Sequence, residues 1–136
     1  MIKSVDHIAV AVEDLDAAIE LFEKTLGLTV GHREQMTGMD VDIATFPVGG
    51  IAIELLQGTS ERSTVRKFVE KRGPGLHHVA FVVDDIEKSL AELRAKGVRL
   101  IDETPRRGKE NSLVAFIHPQ STQGVLYELV QPAPKK

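Results

Sequence analysis

The sequence predicts an α+β fold of two βαβββ modules related by a pseudo-twofold axis, and three observations carry that reading. The segment Asp6-His7-Ile8-Ala9-Val10-Ala11-Val12-Glu13-Asp14-Leu15 returns as His77-His78-Val79-Ala80-Phe81-Val82-Val83-Asp84-Asp85-Ile86. Each copy leads into an apolar stripe at helical spacing that ends on a glycine, Gly27 in the first and Gly97 in the second. Further on, each half holds an apolar run with one internal carboxylate, Ile51-Ala52-Ile53-Glu54-Leu55-Leu56 and Val125-Leu126-Tyr127-Glu128-Leu129-Val130. A period of about 71 residues occurring twice is too long and too rare for a solenoid, so paired modules explain it better.

The elements follow in order. Residues 7–12 and 78–83 are short, apolar and rich in β-branched side chains, as buried strands are. Asp14 is placed to cap a helix whose stripe is Leu15, Ala18, Ile19, Phe22 and Leu26; in the second copy Asp84 or Asp85 caps Ile86, Leu90 and Leu93. Strands are then expected over 28–34, 41–48 and 51–56, with Gly49-Gly50 as a turn, and over 99–102, 112–117 and 125–130. Between the halves, residues 59–72 show a further helical stripe of Val65, Phe68 and Val69, closed by Gly73-Pro74-Gly75. The expected division is a single domain over 1–136, with module 1 at about 4–58, a linker helix at about 59–75 and module 2 at about 76–132.

Composition narrows the classes of function. A formal charge of -3 and a pI near 5.9 offer no general attraction to nucleic acid or to an anionic membrane. The absence of cysteine excludes disulfides, thiolate ligands and a cysteine nucleophile. No apolar segment approaches the roughly 20 residues of a membrane span, and a cytoplasmic location is expected.

The polar residues inside the repeated strands point to a metal. Side chains alternate along a strand, so His7 shares a face with Ala9 and Ala11, and His78 shares one with Ala80 and Val82. Small neighbours leave room beside each ring. Taken singly, a strand histidine is usually a hydrogen-bonded core residue, and a lone glutamate usually sits at a solvated edge. Two carboxylates drawn together in a dry cleft, however, repel each other and lose hydration unless a positive charge compensates. A divalent cation lining one cleft with His7, Glu54, His78 and Glu128 would do so. Two nitrogen and two oxygen donors without thiolate fit six-coordinate cobalt, manganese, nickel or iron better than a structural zinc or an all-oxygen calcium or magnesium site; the expected ion is cobalt, with manganese, nickel, iron or zinc as alternatives.

These residues resemble the vicinal oxygen chelate (glyoxalase/bleomycin resistance/dioxygenase) superfamily, and within it the methylmalonyl-CoA epimerase family. The likeness runs through Asp6-His7-Ile8-Ala9-Val10-Ala11, Ile53-Glu54-Leu55-Leu56, Lys67-Phe68-Val69-Glu70-Lys71-Arg72-Gly73 and Gly75-Leu76-His77-His78-Val79-Ala80-Phe81. It continues through residues 96–103 and 116–129, which include the His118-Pro119 loop before the last strand.

The resemblance implies an isomerase that interconverts (R)- and (S)-methylmalonyl-CoA by removing the C2 proton through a metal-stabilised enolate. It carries the four ligands onto His7, Glu54, His78 and Glu128, makes Glu128 one of two acid/base groups, and implies a homodimer. An acyl-CoA partner would meet the basic groups Lys67, Lys71 and Arg72 on the linker, and Arg106, Arg107 and Lys109 in the second half. The family carries a second acid in the loop before the strand that matches 41–44. Here the expected position falls on Gly38 or Thr37, neither a carboxylate, with Asp40 and Glu34 as the nearest acids. The alternatives are a glyoxalase-I-type lactoylglutathione lyase on the same four residues, and a metal-free binding protein of the drug-sequestering kind. His77 is expected to face away from His78. His32 and His118 are expected in structural or surface roles, with His118 near the substrate.

Overall fold

A computed structural model describes residues 1–134 of the chain, which run β1 (Ile2–Ala11), α1 (Leu15–Glu20), β2 (His32–Met36), β3 (Val41–Val48), β4 (Ile51–Gly58), α2 (Thr64–Arg72), β5 (Gly75–Val83), α3 (Ile86–Ala95), β6 (Arg106–Arg107), β7 (Leu113–Ile117) and β8 (Tyr127–Gln131). This is an α+β chain that reads βαβββ twice, with α2 between the two runs. It divides into two compact units, one of residues 7–77 and one of residues 1–6 with the chain from His78 onward.

In the unit of residues 7–77 the strand order is β2-β3-β4-β1. β1 and β4 run parallel, with Ala9 opposite Glu54, while β3 runs antiparallel to both β2 and β4. Asp14 caps α1 by accepting from the Ala17 N–H at 3.1 Å, and the helix widens into a π-helical turn over Leu21–Thr25. Gly27 then leaves the helix at φ +72°, a conformation that glycine adopts without a Cβ clash. One face of the sheet packs Leu15, Ala18, Ile19 and Phe22 against Ala44, Phe46 and Leu55. On the other face Ala9, Ala11, Val41, Ile43 and Leu56 meet Val65, Phe68 and Val69 of α2. Ser63 caps α2 through the Arg66 N–H, and Gly58 lies so close beneath that a Cβ there would stand 2.6 Å from the Arg66 Cβ.

The unit that begins again at His78 has the order β5-β8-β7-β6, with the first residues of β1 beside β5. β5 and β8 are parallel, with Ala80 opposite Glu128, and β7 is antiparallel to β8, with Phe116 opposite Glu128. Ile86 and Leu90 of α3 close the core with Val83, Leu100, Ala115, Ile117 and Leu129. Of the two candidate caps, Asp85 is the one used, accepting from the Lys88 N–H at 3.1 Å.

One detail repeats that the strand patterns do not show. The Leu15 N–H donates to Gln57 Oε1 at 2.7 Å, and the Ile86 N–H donates to Gln131 Oε1 at 2.9 Å. Each glutamine lies three residues beyond an internal glutamate, so the end of the carboxylate strand is tied to the start of the helix in both copies.

Two expected strands are displaced. The strand placed at 28–34 forms at His32–Met36, because the Leu28 N–H folds back to the Phe22 carbonyl and β-pairing with β3 starts only at His32. The strand placed at 99–102 reduces to a single bridge between Leu100 and Ile117, and β6 forms at Arg106–Arg107. There the Arg99 N–H is taken by the Ser121 hydroxyl, and the Asp102 carboxylate takes the Phe116 N–H that a full ladder would use. Among the described residues no helix is long and apolar enough to cross a membrane.

Candidate functional site

Both histidine-glutamate combinations of the sequence come together as pairs inside their own units. In parallel strands β1 and β4, His7 stands opposite Ala52 and Ala9 opposite Glu54, so the His7 and Glu54 side chains emerge on one face, one step apart. His7 Nδ1 lies 3.4 Å from Glu54 Oε2. β5 and β8 repeat this, and His78 Nε2 lies 3.3 Å from Glu128 Oε1. The four residues retain only 4–6% exposure, while the alanines between them, Ala9 and Ala80, are fully buried. Ionised carboxylates at such depth are strongly disfavoured without a compensating charge. The donor set therefore fits a divalent cation: each pair offers one imidazole nitrogen and one carboxylate oxygen, and the chain has no cysteine thiolate to compete.

The surroundings of each pair are built by register. Thr45 stands opposite Glu54 on β3 and is itself buried. Phe116 stands opposite Glu128 on β7 and sets its ring edge-on to His78, with centroids 5.2 Å apart. Arg106 lies over the same Phe116 ring at 5.8 Å, and its Nε forms an ion pair with Asp102 Oδ1 at 3.0 Å. Asp102 also accepts the Phe116 N–H at 2.8 Å, so one carboxylate orients both the arginine and the strand that carries the aromatic ring. Thr45, Phe116 and Asp102 escape the sequence patterns, because each owes its place to a cross-strand partner. Counting alternate residues on β7 back from its pairing with β8 would have found Phe116.

The linker cations Lys67, Lys71 and Arg72 lie exposed on α2, with Arg72 stacked over Phe68 at 5.6 Å. Lys67 and Lys71 are one helical turn apart, so they share a side of the helix. Of the other histidines, His77 packs edge-on to Phe68 at 4.9 Å rather than joining His78, as strand alternation requires. His118 uses Nδ1 to accept the Gln120 N–H at 3.0 Å and so caps the short turn at Pro119–Ser121. His32 lies half-exposed, with Nε2 3.8 Å from Glu34 Oε2.

The acids near the expected second acid/base position separate cleanly. Asp42 turns to the α1 face, where Arg33 spans it and Asp16; hydrogen bonds to Asp16, then Asp42, hold the guanidinium above its ordinary pKa. Asp40 sits at φ +53° in the turn before β3, 3.8 Å from Arg62 Nε. Gly38 lies in the same turn, with open space where a Cβ would be.

The comparisons with known proteins agree with one another. Residues 6–116 match the model of the Glyoxalase/Bleomycin resistance protein/Dioxygenase superfamily. The crystal structure of methylmalonyl-CoA epimerase from Mycobacterium tuberculosis superposes with a TM-score of 0.93 at 42% identity, covering 98% of this chain and 90% of that one. A methylmalonyl-CoA epimerase in complex with methylmalonyl-CoA and NH4+ superposes equally, at 0.93 and 39% identity, covering 98% of this chain and 96% of that one. An ethylmalonyl-CoA/methylmalonyl-CoA epimerase from Cereibacter sphaeroides is 34% identical, covering 96% of this chain and 99% of the relative. The chain belongs to the Glyoxalase/Bleomycin resistance protein/Dioxygenase superfamily, on the branch that holds the methylmalonyl-CoA epimerases.

Proposed function

We propose that this protein is a metal-dependent epimerase that interconverts (R)- and (S)-methylmalonyl-CoA. The observation that carries this reading is the repeated buried pair, His7 with Glu54 and His78 with Glu128, in a chain that matches named epimerases over nearly its whole length. His7, Glu54, His78 and Glu128 would hold one divalent cation per chain, with cobalt first in preference. When bound, that cation supplies the positive charge that draws in two substrate oxygens and stabilises an enolate.

The chain's own residues do the rest. The thioester carries its most acidic proton on C2, between two carbonyl carbons. The Glu128 carboxylate exchanges this proton on one face, since a positioned acid/base group must lie within hydrogen-bond reach of the proton it moves. The Phe116 ring packs edge-on against His78 and holds that imidazole in place. Lys67, Lys71 and Arg72 meet the phosphates of the CoA moiety, which the net negative chain otherwise repels. The chain acts as one domain and pairs into a homodimer in the cytoplasm.

The test is to incubate a single enantiomer of methylmalonyl-CoA with the cobalt-loaded protein and follow loss of enantiomeric purity. Racemisation at an enzymatic rate supports the reading. If the methylmalonyl thioester is inert and a glutathione hemithioacetal is isomerised instead, a glyoxalase-type function replaces it; if neither reacts and no metal binds, a small-molecule-binding role does.

A further inference from the structure

We infer that Arg106 takes the free carboxylate of a malonyl-type acyl group and so makes the site selective for such thioesters over uncharged ones. This deepens the epimerase reading above and rests on it. Arg106 stands opposite Val114 on β7, Phe116 lies two residues further along that strand, and Phe116 stands opposite Glu128 on β8. Residues directly opposite in a ladder point to the same side, as do alternate residues on one strand. Arg106, Val114, Phe116 and Glu128 therefore share a face, and Ala80, opposite Glu128 on β5, brings His78 onto it as well.

Ala80, Val114 and Val130 form a buried apolar floor on this face. Ile86 and Leu90 of α3 pack on the opposite face, against Val83, Ala115 and Leu129. One ring connects the cation to the histidine: the Arg106 guanidinium lies over the Phe116 ring at 5.8 Å, and that ring stands edge-on to His78 with centroids 5.2 Å apart. The neighbouring cation faces away, because Arg107 stands opposite Leu113, which packs into the α3 core. Arg106 is thus the cation that β6 presents on the face of His78 and Glu128.

Its placement is fixed while its donors are not exhausted. Asp102 pairs with Arg106 Nε at 3.0 Å through one oxygen and accepts the Phe116 N–H at 2.8 Å through the other, so it ties the cation to the strand that carries the ring. The Asp102 side chain is 13% exposed and that of Arg106 43%, so the anchor is mostly buried and the guanidinium stays open to a ligand. A planar guanidinium carries five N–H donors in a fork that matches a carboxylate, and one ion pair through Nε leaves donors for a second. A methylmalonyl thioester differs from a propionyl thioester by a carboxylate on C2, the reacting carbon, so this group lies beside Glu128 whenever Glu128 exchanges the C2 proton. The carboxylate is anionic before and after that proton leaves. Arg106 therefore contributes to binding and little to the barrier, which makes it a specificity-determining residue rather than an acid or base.

The experiment uses the cobalt-loaded full chain and two thioesters that share the CoA moiety, methylmalonyl-CoA and propionyl-CoA. Titration calorimetry measures the affinity for each, and steady-state rates with methylmalonyl-CoA separate KM from kcat. Arg106→Gln should weaken binding of methylmalonyl-CoA by about ten- to a hundredfold, the worth of a hydrogen bond to a charged group. It should raise KM by a similar factor, with kcat near wild type and the affinity for propionyl-CoA unchanged. Arg106→Lys should recover part of the preference, and Arg107→Gln should keep the wild-type ratio of the two affinities. Circular dichroism and bound metal should match wild type in every variant. Equal weakening of both thioesters in Arg106→Gln assigns Arg106 to the CoA moiety or to folding and overturns the carboxylate role, as does unchanged affinity for both. Wild type that prefers neither thioester overturns it too. A preference for methylmalonyl-CoA that depends on Arg106, in a protein that does not epimerise it, keeps the carboxylate role and overturns the epimerase reading instead.

Discussion

His78 Nε2 and Glu128 Oε1 lie 3.3 Å apart with both side chains buried, and His7 and Glu54 reproduce the arrangement at 3.4 Å on the corresponding strands of the first module. A parallel pairing with alanine opposite glutamate produces it each time, Ala9 with Glu54 and Ala80 with Glu128. The repeat in sequence is thus a repeat in side-chain geometry.

Metal content should follow these pairs. The purified protein is expected to bind about one divalent transition metal per chain, and His78→Ala or Glu54→Gln should each abolish it, because a site that loses one ligand loses most of its affinity. Elemental analysis after dialysis measures this directly. Unchanged stoichiometry in both variants would remove these residues from the site.

The linker cations should act on CoA. Neutralising Lys67, Lys71 and Arg72 together should weaken binding of CoA thioesters and flatten its dependence on salt, since exposed charges act through a screened field. Titration calorimetry at two ionic strengths reads both effects. Equal affinity and equal salt slope in wild type and triple variant would assign CoA binding elsewhere.

The repeated glutamines should matter for folding rather than for chemistry. Gln57→Ala leaves the N–H of fully buried Leu15 without its side-chain acceptor, and Gln131→Ala does the same at Ile86. Each should cost about 0.5–1.5 kcal/mol in denaturant unfolding, the net worth of a typical hydrogen bond, with metal content preserved.

Gly58 should resist alanine and Gly38 should tolerate it. At Gly58 a new Cβ meets the Arg66 backbone nitrogen at 2.7 Å and the Ser63 hydroxyl at 2.7 Å, so the start of α2 must shift. Overpacking of this kind costs about 1–3 kcal/mol. Gly38→Ala meets nothing within 4 Å and should be close to neutral. Thermal melts of the two variants make the comparison.

Much of this was legible in the chain because alternation and repetition are local signals. The strands around His7 and His78, the cap at Asp14, the Asp84–Asp85 pair that holds the second cap and the glycine stops at Gly27 and Gly97 follow from a few neighbouring residues each. What escaped depends on partners distant in sequence. Leu100 forms only one bridge because Asp102 and Ser121 capture backbone N–H groups that the ladder would have used. Likewise, nothing local separates Glu34 from Asp40 and Asp42. Only the register of β2 on β3 and of β3 on β4 places Glu34 on the face of Glu54.

The most direct test of the central claim is solvent-deuterium exchange at C2 of methylmalonyl-CoA, followed by NMR, with metal-stripped protein and with the same protein reloaded with cobalt. Exchange should be fast in the reloaded protein and near background in the stripped one, and His78→Ala should resemble the stripped protein whether or not cobalt is added. Exchange that is equally fast without metal, or absent in the reloaded protein, would contradict a metal-dependent epimerase built on His7, Glu54, His78 and Glu128.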